Sequence, residues 1–124
     1  SIISKSSKIG INFIAMANSV INPNSTIGNF CMVNTGAQIE HDCVLGDYVH
    51  VSAGSIMGGK VSIGKFSMIT LGVTILDRID IGENVIVGSG SLVLKDIPDN
   101  VMVYGSPGKI IRNIKLGEKV LKSM

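Results

Sequence analysis

The 124-residue chain holds two histidines, and both fall in one stretch, IEHDCVLGDYVH, residues 39–50. His41 stands between Glu40 and Asp42, with Cys43 two residues on and His50 nine residues on. A neutral imidazole takes a proton near pH 7, and a carboxylate beside it fixes its tautomer and strengthens it as a base. Such a pair suits removal of a proton from an amine or hydroxyl as that group attacks an acyl carbon. The same residues, His-Asp-Cys, also read as a metal-ligand set, and a histidine on a surface commonly does nothing. The backbone decides between these readings by where it points each side chain.

A repeat supplies that backbone. Breaking the chain every six residues from Ile9 puts an apolar residue at all fifteen first positions through Val93. The fifth position is mostly small or β-branched, as in Ser25, Cys31, Ala37, Cys43, Val49 and Ser55. An aliphatic residue followed by Gly recurs at 9–10, 27–28, 45–46, 63–64 and 81–82, a spacing of eighteen. Hexapeptides grouped in threes predict an all-β chain, a parallel β-helix in which three short strands make one triangular coil. Five coils are expected between Ile9 and Pro98, with residues eighteen apart stacked about 4.8 Å above one another. The phase breaks after Val93, and Pro98, Gly105, Pro107 and Gly108 mark a turn-rich exit. Residues 1–108 are expected to form the β-helix. Residues 109–124 are expected to be a basic tail or a short C-terminal helix, with Ile110, Ile111, Ile114, Val120 and Leu121 on one face.

Composition agrees with this architecture and narrows the function. Apolar residues make up 45% of the chain while aromatics make up only 4% and Trp is absent, which suits a core of stacked Ile, Val and small residues. A net charge of +2 with no basic run interleaved with aromatics does not point to nucleic acid. No apolar run approaches the roughly 18 residues of a membrane span, and no signal-peptide pattern opens the chain. Cys31 and Cys43 make neither a disulfide framework nor a CxxC motif, so a reducing, cytoplasmic setting is expected. The chain opens with Ser1 rather than Met, as a processed chain or a piece of a longer one would.

In the six-residue frame neither histidine belongs to the core. His41 is the third residue of its hexapeptide, on a corner, while Ile39 and Cys43 point inward on either side. His50 lies between the inward Val49 and Val51 and must point outward. Because Cys43 faces in and His41 faces the corner, the metal reading loses its geometry, and no metal is expected. A zinc site of the β-helix carbonic anhydrase kind would need three histidines, and the chain has two.

The stretch IEHDCVLGDYVHVSAGSIMGGKVSIG, followed by VGSGSLVLKDIP and VYGSPGKIIR, resembles the left-handed β-helix hexapeptide-repeat acyltransferases over residues 9–112. It looks most like the sialic acid O-acetyltransferase and UDP-4-amino-sugar N-acetyltransferase group. Gly108 stands where that group usually has Ala in the exit loop. The resemblance implies a left-handed coil, a homotrimer with acetyl-CoA bound between subunits, and acetyl transfer to an amino or hydroxyl group of a sugar or nucleotide-sugar. It implies His41 as general base and Asp42 as its supporting acid, with Glu40 the alternative support. His50, Leu71 and Ser89 fall where the group contacts acetyl-CoA. The group usually carries an N-terminal Rossmann-like domain that holds the nucleotide-sugar, whereas here the repeats begin almost at residue 1.

Two further expectations follow from the register. Gly59 lies eighteen residues after His41, so it shares that corner one coil on, where its backbone N–H can approach a thioester oxygen. A plain corner glycine is the alternative. Lys60 stacks on Asp42 and either pairs with it or sits at the surface. Lys109 and Arg112 read as a solvated basic tail rather than as phosphate ligands. The competing function is a non-catalytic β-helix scaffold or trimerisation module, which requires no histidine–acid corner. Serine and maltose acetyltransferases share the expected fold but usually add helices or insertions that this uninterrupted repeat lacks.

Overall fold

Two residues of every six are driven inward, and the chain coils to bury both. In the computed structural model, which describes residues 1–118, each hexapeptide contributes a two-residue strand and a corner. The strands stack into three flat faces. Face one holds Ile2–Ile3, Val20–Ile21, Gln38–Ile39, Ile56–Met57, Thr74–Ile75 and Leu92–Val93. Face two holds Lys8–Ile9, Thr26–Ile27, Val44–Leu45, Ser62–Ile63 and Asp80–Ile81. Face three holds Ile14–Ala15, Met32–Val33, His50–Val51, Met68–Ile69, Ile86–Val87, Val101–Tyr104 and Lys109–Asn113. Through Leu92–Val93, pairing within a face is parallel at a register of eighteen, as in Gln38 with Ile56 and His50 with Met68.

The first-position column from Ile21 through Val93 is buried, and so is the fifth-position column from Ser19 to Ile97. Polar members of the second column each find a backbone partner: Ser19 and Ser91 donate to the carbonyl three residues back, and Ser25, Ser55 and Ser67 to the carbonyl fifteen residues on. Ser25 Oγ donates to Glu40 O (2.9 Å) and accepts from Cys43 N–H (3.2 Å). Ser55 does the same with Thr70 O (2.7 Å) and Val73 N–H (3.1 Å). Cys31 and Cys43 occupy serine-like positions, and their thiols reach Gly46 O (3.1 Å) and Gly58 O (3.3 Å). Among the described residues no buried side-chain nitrogen or oxygen is left without a partner, as a low-dielectric interior requires.

Most corners turn through one left-handed residue. Between faces three and one these are Asn18 and then Gly36, Gly54, Gly72 and Gly90, and in the glycines the conformation carries no steric cost. Between faces two and three they include Phe30, Tyr48 and Phe66, at φ of 58°, 59° and 64°. Bulky residues are rare in this region. Here their rings stack, with centroids 5.0 Å and 5.3 Å apart, and offset the strain by ring–ring contact.

Two expectations are corrected. The solenoid has about six turns rather than five. Ile3 stands six residues before Ile9, in phase, and its strand pairs with Val20–Ile21. At the other end pairing survives the phase break by dropping two residues, so that Ile81 meets Ile97 and Val87 meets Val103 at a register of sixteen. The second correction is the C-terminal helix. Lys109–Asn113 is a strand, antiparallel to Val101–Tyr104. The unpaired edge of Val101–Tyr104 offers backbone hydrogen bonds, the 105–108 segment reverses the chain, and the β-branched Ile110 and Ile111 favour a strand. Leu116 and Gly117 then form a turn, with Gly117 at φ 82°. Val120 and Leu121, assigned to the helix face, lie outside the described residues.

Candidate active site

His41 and Asp42 form the corner between Gln38–Ile39 on face one and Val44–Leu45 on face two. Ile39 and Cys43, both fully buried, anchor the corner on either side. Its backbone is tied to both neighbouring coils, Asp42 N–H donating to Pro23 O (3.0 Å) and Lys60 N–H to His41 O (2.9 Å). The side chains of His41 and Asp42 are 54% and 44% exposed. A rigid backbone therefore carries two groups open to a ligand.

The two side chains hold each other. His41 Nδ1 lies 2.9 Å from Asp42 Oδ2. A carboxylate only accepts, so Nδ1 carries the hydrogen and donates it, which in the neutral ring leaves the lone pair on Nε2. Glu40, the alternative support, makes no side-chain hydrogen bond to His41 among the described residues; its carbonyl serves Ser25. Asp42 is thus taken by His41 and not by Lys60, which has no acid partner within 4 Å among the described residues.

Nε2 faces Gly59, one coil on. A Cβ built at Gly59 would stand 2.6 Å from Nε2 and 2.7 Å from Cε1, closer than any side chain tolerates. Glycine is therefore needed for the approach of the ring, and its φ is not left-handed. The Gly59 N–H has no acceptor among the described residues. At the corner between faces two and three the corresponding N–H of Asn29 is capped by Asp47 Oδ1 (2.8 Å), and that of Glu83 by Asp99 Oδ1. The corner thus brings together a base nitrogen and a free N–H donor, the two groups that attack on an acyl carbon requires.

The remaining expected residues lie elsewhere on the prism. His50 is half-buried on face three, paired in register with Met32 and Met68. Leu71 and Ser89 occupy successive coils of the corner between faces three and one, with Leu71 exposed and Ser89 Oγ 3.1 Å from Thr70 Oγ1. A single copy unites His41, Asp42 and Gly59, and separately Leu71 and Ser89, but not the two groups with His50. Cys43 points away from His41 into the core, and burial pushes its thiol pKa up. Among the described residues no three His, Cys, Asp or Glu side chains gather as a metal site. Two features went unread in the sequence. Thr70 is buried beneath Ser89, with its hydroxyl bonded to Val87 O (2.6 Å). The aromatic ladder was visible as rings at 30, 48 and 66, the same spacing of eighteen that defines the coil.

Comparison with known proteins follows this geometry. Residues 24–59, which include His41, Asp42, His50 and Gly59, match the bacterial transferase hexapeptide family (six repeats). No curated protein sequence matches the chain. Among solved structures it is similar to the acetyltransferase domain of PglB from Neisseria gonorrhoeae FA1090 in complex with acetyl coenzyme A. That likeness has 35% identity and a TM-score of 0.87, and covers 88% of this chain and 53% of that one. It is equally similar to PerB from Caulobacter crescentus in complex with CoA and GDP-perosamine, with 38% identity, a TM-score of 0.87 and coverage of 88% and 53%. The chain spans about half the length of these relatives. A maltose O-acetyltransferase from Clostridium difficile 630, at 23% identity and a TM-score of 0.66, shares the fold. The chain carries the bacterial-transferase hexapeptide repeat, and in sequence and fold it resembles the hexapeptide-repeat sugar acetyltransferases, as its motifs implied.

Proposed function

We propose that this chain is the acetyl-transferring domain of an acetyl-CoA-dependent N- or O-acetyltransferase that modifies an amino or hydroxyl group of a sugar or nucleotide-sugar. The observation that carries the reading is the corner itself. His41 is held by Asp42 at 2.9 Å and packed against a glycine whose N–H is free. PglB and PerB, solved with acetyl-CoA or CoA, support the donor, and the GDP-perosamine in PerB supports a nucleotide-sugar acceptor.

In this reading His41 Nε2 takes the proton of the acceptor amine or hydroxyl as its nitrogen or oxygen attacks the thioester carbonyl. Asp42 holds the ring and stabilises the imidazolium that forms. The carbonyl oxygen gathers charge as the new bond forms, and the Gly59 N–H donates to it. The C–S bond then breaks, and the departing CoA sulfur recovers the proton from His41. His50, Leu71 and Ser89 hold acetyl-CoA. Since His50 stands on face three, and Leu71 and Ser89 on another edge than His41, a neighbouring copy completes the cleft, in a homotrimer of left-handed coils. Residues 1–108 carry the chemistry and 109–124 follow as a tail, and the setting is the cytoplasm.

The test is His41→Ala, assayed by thiol release from acetyl-CoA with a panel of nucleotide-linked amino sugars, in the full natural protein. Loss of a positioned base costs about 10²–10⁴-fold. Transfer is expected to fall by that factor while the melting temperature stays unchanged, because the corner side chain supports no core. Wild-type rates in His41→Ala would refute the assignment. A wild type with no detectable acetyl-CoA binding would favour the scaffold reading.

A further inference from the structure

The turns of the edge that carries His41 run Lys5–Ser6, Pro23–Asn24, His41–Asp42, Gly59–Lys60, Asp77–Arg78 and Lys95–Asp96, and of their cations Lys60 is the one that lies next to His41. Asp42, Lys60 and Arg78 share one backbone conformation, with φ of 58°, 59° and 59°, so their side chains leave the corner in parallel. Neighbouring rungs are about 4.8 Å apart. Asp42 is engaged by His41, and Arg78 is engaged by Asp77 at 3.2 Å. Lys60 is left between them with no carboxylate within 4 Å among the described residues. The other corners differ. Between faces two and three Lys65 is held by Glu83 at 3.8 Å. Between faces three and one the turns run from Ala17–Asn18 to Ser89–Gly90 and contain no charged residue. A lysine with no carboxylate within 4 Å among the described residues thus directly follows the glycine that packs against the base.

Resting on the proposed function, we infer that Lys60 receives a phosphate group of a nucleotide-bearing substrate and so makes this corner select phosphorylated substrates. His41 and Gly59 handle an acyl carbon and a proton, and neither offers a charge to a distant part of a ligand. A lysine is a compact point charge that suits phosphate. Placed beside the reacting centre and not on it, it adds binding and orientation without altering the chemistry. Both acetyl-CoA and a nucleotide-linked sugar present such phosphates, and the experiment separates them.

Lys60→Ala and Lys60→Arg in the full natural protein would be titrated calorimetrically with CoA and with pantetheine, and with a nucleotide-linked amino sugar and its phosphate-free counterpart. Lys60→Ala is expected to weaken one phosphorylated probe by about three- to tenfold and leave its phosphate-free partner unchanged. Lys60→Arg should restore most of the loss, and the loss should shrink at high salt because the group is exposed. The probe affected identifies the source of the phosphate. Equal affinities of Lys60→Ala and wild type for both phosphorylated probes would overturn the inference, as would equal weakening of a phosphate-free partner. These outcomes are read without turnover, so failure of acetyl transfer bears on the proposed function alone.

Discussion

Replacing Gly59 by alanine isolates the closest contact of the candidate site. The added Cβ would stand 2.6 Å from His41 Nε2, whereas ordinary contact begins at 3.4 Å, so the imidazole must retreat by about 0.8 Å. The backbone does not resist, because φ at Gly59 is not left-handed, and the ring is free to swing because His41 is more than half exposed. Alanine at a compatible position even gains about 0.4–1 kcal/mol by restricting the unfolded chain. Stability should therefore stay within about 1 kcal/mol of wild type. Activity should not survive, since a misplacement near 1 Å costs on the order of 10²-fold and the methyl also shields the Gly59 N–H. The assay pairs kcat by thiol release with urea unfolding of the same preparation. A folded Gly59→Ala protein with undiminished kcat would show that the approach of the ring to Gly59 plays no part in transfer. A variant that loses kcat only by unfolding would refute the claim that the corner is soft.

Two other predictions concern the scaffold. Tyr48→Ala removes both ring stacks of the ladder and should cost about 1–3 kcal/mol in urea unfolding, whereas Phe30→Asn loses one stack and gains a residue suited to the left-handed corner, so it should cost less. Burial raises the thiol pKa of both Cys31 and Cys43. The folded state therefore holds these protons more tightly, and the associated stability is complete below the unfolded thiol value of about 8.5 and is lost as pH rises through the raised folded values. Wild type should lose stability in alkali while the Cys31→Ser, Cys43→Ser double variant, whose serines fit the same hydrogen bonds, loses less; identical alkaline profiles would contradict this.

The interior was legible in the sequence because a solenoid repeats the same burial at a fixed interval. Ile39, Cys43, Val49 and Val51 were placed inward from the six-residue phase, and all are buried. The same phase put His41 on a corner and Gly59 beside it. It could not rank Glu40 against Asp42, since both flank the histidine; that choice depends on the left-handed turn at Asp42, which brings its carboxylate back to Nδ1. Where the repeat stops, periodicity stops informing. Ile110, Ile111 and Ile114 fit a helical stripe, but a free sheet edge at Val101–Tyr104 captured the first two as a strand. Local pattern lost there to an available backbone partner. Nor does spacing along one chain show that His50 and His41 lie on different edges unless each is followed around the triangle.

The reversed strand at Lys109–Asn113 also changes what the end of face three offers to another strand. Every coil presents the next with a parallel edge in register, and a stack with such an edge left bare is a template for further chains, as in cross-β fibres. Here the last edge is consumed. Leu92 N–H donates to Gly105 O (3.0 Å), Gly108 N–H donates to Leu92 O (2.8 Å), and Val101–Tyr104 is covered by a strand running the opposite way. Over the described residues, face three therefore closes on an antiparallel ribbon with exposed Lys109 and Arg112 rather than on a further parallel strand. The hairpin thus spends the edge along which the repeat would otherwise continue.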